Sequence, residues 1–245
     1  SYGRWPTQSC TGSIRMTGLR EIGPSLWCLD SHFKVWGCKG STRMSVIGDT
    51  DGLVLYSPVA LSKADIAHIE SLGRVHTIIA PNLYHHMYLR AAAAAFPQAR
   101  VLVPDGLERK IGPIPRAEIT RSETGLSGDL DHHVFSGHAL REICLFHRLS
   151  GSLITADLLY NFHAEQFAAE KAFFRVLGIY GRPGVPFYHR FAIENKAAVR
   201  QLIDKVRTWP VRRIVPCHGR IVEHPDAGDA FAALGGFPDI ALMED

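Results

Sequence analysis

The chain has 245 residues, 46% of them hydrophobic, and carries 27 Lys and Arg against 24 Asp and Glu for a formal charge of +3. Enough apolar material to offset chain entropy, with no long polar tract, excludes global disorder and suits one large domain or two tightly packed halves. The small charge is scattered among acids rather than gathered on a basic face, which argues against nucleic-acid binding, and no apolar run reaches the roughly 18–20 residues that span a bilayer.

Along the chain, residues 1–23 are polar, Gly-containing and weakly patterned, and are expected to wrap the surface. Short strands follow at Ser25–Leu29, Arg43–Ile47 and Leu53–Tyr56, the last two joined by the turn-forming stretch Gly48-Asp49-Thr50-Asp51-Gly52. Ser62–Leu72 opens as Ser-x-x-Asp and places Ile66, Ile69 and Leu72 at helical spacing. Val75–Ala80 is a β-rich run ended by Pro81, His86–Phe96 is Ala-rich and helical, and Val101–Val103 is a short strand. After a polar region at 117–130 come strands Val134–Ser136, Ile143–Phe146 and Leu153–Thr155. Residues 161–180 read as an aromatic helix, followed by the turn Gly181–Gly184 and an extended Val185–Tyr188. An amphipathic helix at Ile193–Trp209, a strand at Arg213–Pro216 and a helix near Ala227–Leu234 close the pattern. Sheets covered by helices, from two similar halves packed as a sandwich, are the predicted α/β architecture.

In helix-covered sheets, functional groups collect at the carboxyl ends of strands. Four successive strand ends here carry imidazole or carboxylate: His85 and His86 after Val75–Ala80, His138 after Val134–Ser136, Asp157 after Leu153–Thr155, and His218 after Arg213–Pro216. Singly each has a plain explanation, since Asp157 could cap a following helix and the histidines could be turn residues. Four independent decorations are harder to explain than one shared site, and these groups are ordinary ligands for zinc, iron or manganese. His132 and His133 read as a solvated strand edge, while His76, His163, His189 and His224 have no partner legible in the sequence. The five cysteines form no C-x-x-C pair, which argues against a disulfide framework and for a reducing, cytoplasmic setting. The first residue is Ser1, which leaves a removed leader open.

These motifs resemble the metallo-β-lactamase superfamily. Ser136-Gly137-His138 is similar to its Pro-Gly-His turn, Leu153–Asp157 to its strand ending in Gly-Asp, and Pro216-Cys217-His218-Gly219 to its terminal Pro-Gly-His-Gly. More narrowly, Arg43-Met44, Ser57-Pro58, Ala80-Pro81-Asn82 with His85-His86, and Asp157–Asn161 resemble the DUF4336 branch. The resemblance spans roughly residues 43–220 and implies an αββα sandwich; the chain is expected to form a single 1–245 domain, with 1–23 as a surface segment and 161–190 as an aromatic insertion. It also implies hydrolysis of esters, amides, lactones, thioesters or phosphoesters through metal-bound water.

The chain departs from the superfamily's His-x-His-x-Asp-His motif, which falls on Pro81–His86: its first two histidines become Pro81 and Leu83. A single metal on His85, His86, Asp157 and His218 is therefore expected, with zinc first and iron or manganese as alternatives. His138, freed from the metal, becomes a candidate acid or base beside Asp157, because an ordinary imidazole titrates near pH 6.5. Tyr84 and Asn161 are candidate substrate contacts, and Tyr188 would line an apolar pocket folded back over the metal. The expected partner is a small organic substrate, with a homodimer contact through the aromatic segment as an alternative use of that surface. Two other functions remain open: a non-catalytic scaffold that keeps the fold, and iron-based redox chemistry.

Overall fold

A computed structural model describes residues 18–35, 38–126, 128–163 and 171–234. One sheet pairs β1 (Arg20–Gly23), β2 (Leu26–Val35), β3 (Cys38–Asp49), β4 (Gly52–Tyr56), β5 (Val75–Ile79), β6 (Arg100–Pro104) and β7 (Ala117–Thr120) in that order. Pairings from β1 to β4 are antiparallel, and those from β4 to β7 are parallel. Connection length explains the change. β3 turns into β4 over two residues, with Asp49 Oδ1 accepting the amides of Asp51 and Gly52 at 2.9 and 3.0 Å. The parallel pairs instead need crossovers, and these carry α1 (Lys63–Leu72), α2 (Leu89–Ala95) and the single turn α3 (Glu108–Ile111). Helix α1 starts where the sequence indicates, at a Ser62–Asp65 capping box.

The second sheet is ordered β12-β11-β10-β9-β8, from β8 (Leu130–Phe135), β9 (Glu142–His147), β10 (Ser152–Asn161), β11 (Arg213–Gly219) and β12 (Val222–Glu223). Only β10 and β11 run parallel. Their crossover holds α4 (Lys171–Val176), a 3-10 turn at Phe187–Ala192 and α5 (Lys196–Arg207), and α6 (Ala227–Leu234) follows β12. Asn195 caps α5 through Ala198 N, and the helix buries Val199, Leu202, Ile203 and Val206 on one face.

Three apolar clusters stack through the molecule. Ile69, Leu89 and Leu107 cover the outer face of the first sheet with Met44, Leu55 and Val101. Leu26, Val54 and Ile79 meet Ile143, Ile154 and Val215 between the sheets. Leu202, Val206 and Phe231 cover the second sheet with Phe146, Leu153 and Ile214. The layers are α/β/β/α, as the sequence pattern and the resemblance both led us to expect. Each fully buried aliphatic side chain contributes about 1.5–3 kcal/mol.

Several sequence expectations shift. Of the segment 1–23 expected to wrap the surface, residues 1–17 lie outside the described residues and Arg20–Gly23 is an edge strand, while Ala117–Thr120 is a strand inside a region read as polar loop. The aromatic segment does not run as one helix from 161: Asn161 ends β10, residues 164–170 lie outside the described residues, and Lys171–Val176 is helical. The extended stretch expected to end at Tyr188 instead turns into 3-10 structure from Phe187, because Pro186 fixes an entry that the extended reading did not weigh.

Candidate metal centre

The site lies where β4 and β5 end, beside Asp157 within β10 and His218 near the end of β11. Tyr56 closes β4, and Ser57 then adopts φ 59°, a left-handed conformation uncommon outside glycine. Its amide still reaches Ile79 O at 3.0 Å, while its Oγ lies 2.8 Å from His85 Nδ1. The chain leaving β5 is shaped by Asn82, which is fully buried. Asn82 Oδ1 accepts the amides of Tyr84 and His85 at 2.9 and 3.0 Å, an Asx turn that presents His85. Its Nδ2 donates to Asp157 Oδ2 at 2.7 Å and to Glu142 Oε2 at 3.1 Å. One amide side chain thus ties the β5 loop to both carboxylates.

Between Thr155 and Tyr160 the pairing of β10 with β11 shifts register. Glu142, at the start of β9, holds this irregular stretch by accepting the amides of Ala156 and Asp157, each at 2.7 Å. Asp157 is thereby turned toward β11, where His218 sits at 3.2 Å (Nε2 to Oδ1) and His85 at 3.4 Å (Nε2 to Oδ2). The two imidazole Nε2 atoms are 3.1 Å apart. Ligand atoms of His85, Asp157 and His218 all lie within 4.8 Å of one another.

Tautomers follow from the outer partners. His218 Nδ1 is 2.7 Å from the carbonyl of Ser41, which only accepts, so Nδ1 carries a proton and, in the neutral ring, the lone pair sits on Nε2. That lone pair faces a carboxylate oxygen and a second imidazole nitrogen. Such a set is repulsive unless a cation sits among the three groups or a proton is held there. Without a metal, His85 holds the proton. Burial opposes its charge, but the adjacent Asp157 carboxylate outweighs burial and holds the His85 pKa well above the ordinary value. Burial likewise opposes the Asp157 charge, and His85 and His218 overcome it, keeping Asp157 well below the usual carboxylate range. Outer bonds to a serine hydroxyl and a backbone carbonyl are the kind that orient metal-binding imidazoles.

Of the four expected ligands, the structure brings together His85, Asp157 and His218 and leaves His86 outside the cluster. His86 is partly exposed, and its pKa is lowered by burial and by Lys110. His138 is fully buried with both nitrogens engaged: Nδ1 accepts Leu140 N at 3.0 Å, so Nε2 carries the proton and donates to His189 O at 3.2 Å. Asn161 spends its side chain on Arg220 O and His163 Nε2, at 3.0 and 2.9 Å. Tyr84 and Tyr188 are 65% and 46% exposed, and burial, followed by the Asp157 charge, raises the Tyr188 pKa. The aromatic insertion does reach the site: Phe174 stacks on Phe162 at 4.3 Å, and Phe162 lies 6.3 Å from the His218 ring.

Sequence reasoning missed Asn82, Glu142, Ser57 and Tyr160 as parts of the site. Neither Tyr160 nor Glu142 had a signal: three residues along a regular strand separate Tyr160 from Asp157 onto opposite faces, and Glu142–His147 is otherwise an ordinary buried strand.

Residues 24–107 match the family model described as Domain of unknown function (DUF4336). Among curated proteins, no sequence matches. Solved structures match over most of the chain. A metallo-β-lactamase from Pontibacter korlensis is 13% identical with a TM-score of 0.59, covering 88% of this chain and 97% of its own. The metallo-β-lactamase FIM-1 from Pseudomonas aeruginosa, in its mono-zinc form, is 12% identical with a TM-score of 0.58, covering 95% and 100%. A metal-soaked Flv1 flavodiiron core from Synechocystis is 13% identical with a TM-score of 0.59, covering 91% and 60%. At these identities the likeness is one of fold, and the fold is that of the metallo-β-lactamases.

Proposed function

We propose that this metallo-β-lactamase-fold protein is a metal-dependent hydrolase, or a related lyase, acting on a small organic substrate such as an ester, lactone or thioester. The observation that carries the reading is the convergence of His85, Asp157 and His218, with His218 Nε2 3.1 Å from His85 Nε2 and 3.2 Å from Asp157 Oδ1. Two neutral nitrogens and one carboxylate fit a divalent ion, zinc foremost, with positions left for water and substrate. A metal bound there would supply Lewis-acid activation of water and of a carbonyl or phosphoryl oxygen.

The protein's own groups do the rest. Ser41 and Ser57 fix the two imidazoles, and Glu142 and Asn82 hold Asp157 in line with them. Tyr84 and Tyr188 frame the entrance with apolar surface for an acyl or aromatic group, and Phe187 and Phe191 stand exposed on the same 3-10 turn. The acid–base role expected for His138 gives way to a positioning role, since its Nε2–H anchors that turn through His189 O.

The test is hydrolysis of a panel of acyl esters, lactones and thioesters by protein purified without chelator. Activity should vanish on chelation, return with zinc, and be absent from His218→Ala. Turnover indifferent to chelator and to that variant would defeat the reading, and a metal-free, inactive parent would favour the scaffold alternative.

A further inference from the structure

The metal centre lies where β4 and β5 end; a polar cleft of about 370 Å³ lies where the parallel strands of the same sheet begin. Strands β5, β6 and β7 each enter the sheet on an arginine: Arg74 precedes Val75, Arg100 opens β6, and Arg116 precedes Ala117. The strands are neighbours, so the three guanidiniums line one cleft, together with Asp49, Asp51 and His76. Arg100 is fixed there. Its Nε donates to Thr77 Oγ1 and its Nη2 to Gly125 O, each at 3.0 Å. Thr77 Oγ1 lies 2.8 Å from His76 Nδ1, and His76 Nε2 lies 3.0 Å from Asp49 Oδ1. Asp49 only accepts, so His76 Nε2 carries a proton; in the neutral ring Thr77 donates to Nδ1 and accepts from Arg100.

The cations are not neutralised by the carboxylates around them. Asp49 is taken up by His76 and by the amides of Asp51 and Gly52. Among the described residues Arg74 and Arg116 form no ion pair; they donate to Asp51 O at 3.4 Å and to Gln98 O at 3.1 Å and Gln98 Oε1 at 3.4 Å. Arg100 has only Glu118 Oε2, at 3.8 Å on a side chain that is 56% exposed. Arg116 also takes φ 58°, where glycine would be the unstrained residue. We infer that this cleft binds a phosphoryl oxyanion, either free phosphate or the phosphate of a small molecule, through Arg74, Arg100 and Arg116. Guanidinium forks match phosphate oxygens, and most of these N–H donors remain open. A phosphate spreads roughly two charges over oxygens pointing several ways, which suits three guanidiniums better than a planar carboxylate does. Asp51 lines the same cleft with no hydrogen bond to its carboxylate among the described residues, and its charge opposes the anion. The inference is independent of the metal-centre reading.

Calorimetric titration of the full chain with inorganic pyrophosphate, at constant ionic strength, tests this. Binding should saturate at one site. Arg74→Ala and Arg116→Gly should each weaken it about fivefold or more, and Asp51→Asn should tighten it about two- to fivefold. Arg116→Gly removes the cation while suiting the left-handed backbone, so its loss of affinity is not a folding defect. His218→Ala should bind pyrophosphate as the parent does, which separates this cleft from an anion held at the metal centre. Absence of saturable binding, affinity unchanged in both arginine variants, weaker binding by Asp51→Asn, or loss in His218→Ala overturns the inference. Citrate binding more tightly than pyrophosphate overturns the phosphoryl assignment.

Discussion

Replacing Glu142 by Gln tests how the Asp157 loop is held. Glu142 is buried and accepts three hydrogen bonds, from Ala156 N, Asp157 N and Asn82 Nδ2. Gln offers one acceptor oxygen; placed where Asn82 and Asp157 N converge, it turns its NH2 against Ala156 N–H. One buried amide left unpaired costs about 1–3 kcal/mol. The parent carries an opposing cost. Burial, then the Asp157 charge, raises the Glu142 pKa from 4.5 to about 7. Between those values the folded protein holds a proton that the unfolded chain has released, so this group's contribution to stability falls as pH rises. At roughly 1.36 kcal/mol per pH unit the full loss is about 3 kcal/mol. In metal-free protein, urea unfolding followed by tryptophan fluorescence should show Glu142→Gln less stable than the parent near pH 5, and the gap closed or reversed near pH 8. A difference that does not change with pH would refute this account of the buried carboxylate pair.

Other perturbations separate the roles of neighbouring histidines. His85→Ala should lose tight metal binding while His86→Ala keeps it, read by metal analysis after desalting. His138→Ala leaves Leu140 N–H and His189 C=O without their partner, so it should cost about 2–5 kcal/mol in unfolding free energy yet retain metal; loss of metal would return His138 to the ligand set. Gly137→Ala should destabilise by about 1–3 kcal/mol or more, because the added Cβ would meet Ala198 Cβ at 2.3 Å and push α5 off the sheet. Tyr188→Ala should raise KM for apolar acyl substrates more than it lowers kcat, the outcome expected of a half-exposed side chain proposed to bind the substrate rather than the metal.

His85 was legible because it follows the apolar run Val75–Ile79, which must stop there; Asp157 and His218 were legible as polar breaks in apolar runs, although β10 continues past Asp157 to Asn161 rather than ending at Thr155. The order of strands and helices was legible for the same reason. The choice of ligands was not. His85 and His86 are adjacent and chemically identical, and only the Asx turn of Asn82 decides which one faces Asp157. His138 looked like a reactive group because sequence shows a polar residue at a strand end but not the two backbone groups that use its nitrogens. Glu142 was hidden because a buried carboxylate in a strand depends on partners distant in the chain, here Asn82 and the amides of Ala156 and Asp157. β7 and β1 were missed because edge strands need little apolar content.

The central claim is that His85, Asp157 and His218 together hold a metal ion, and metal content measures it directly. Protein purified without chelator should carry about one ion per chain, and Asp157→Ala and His218→Ala should carry almost none. A parent that contains no metal and takes up neither zinc, manganese nor iron, or variants that retain the parent's content, would contradict the claim.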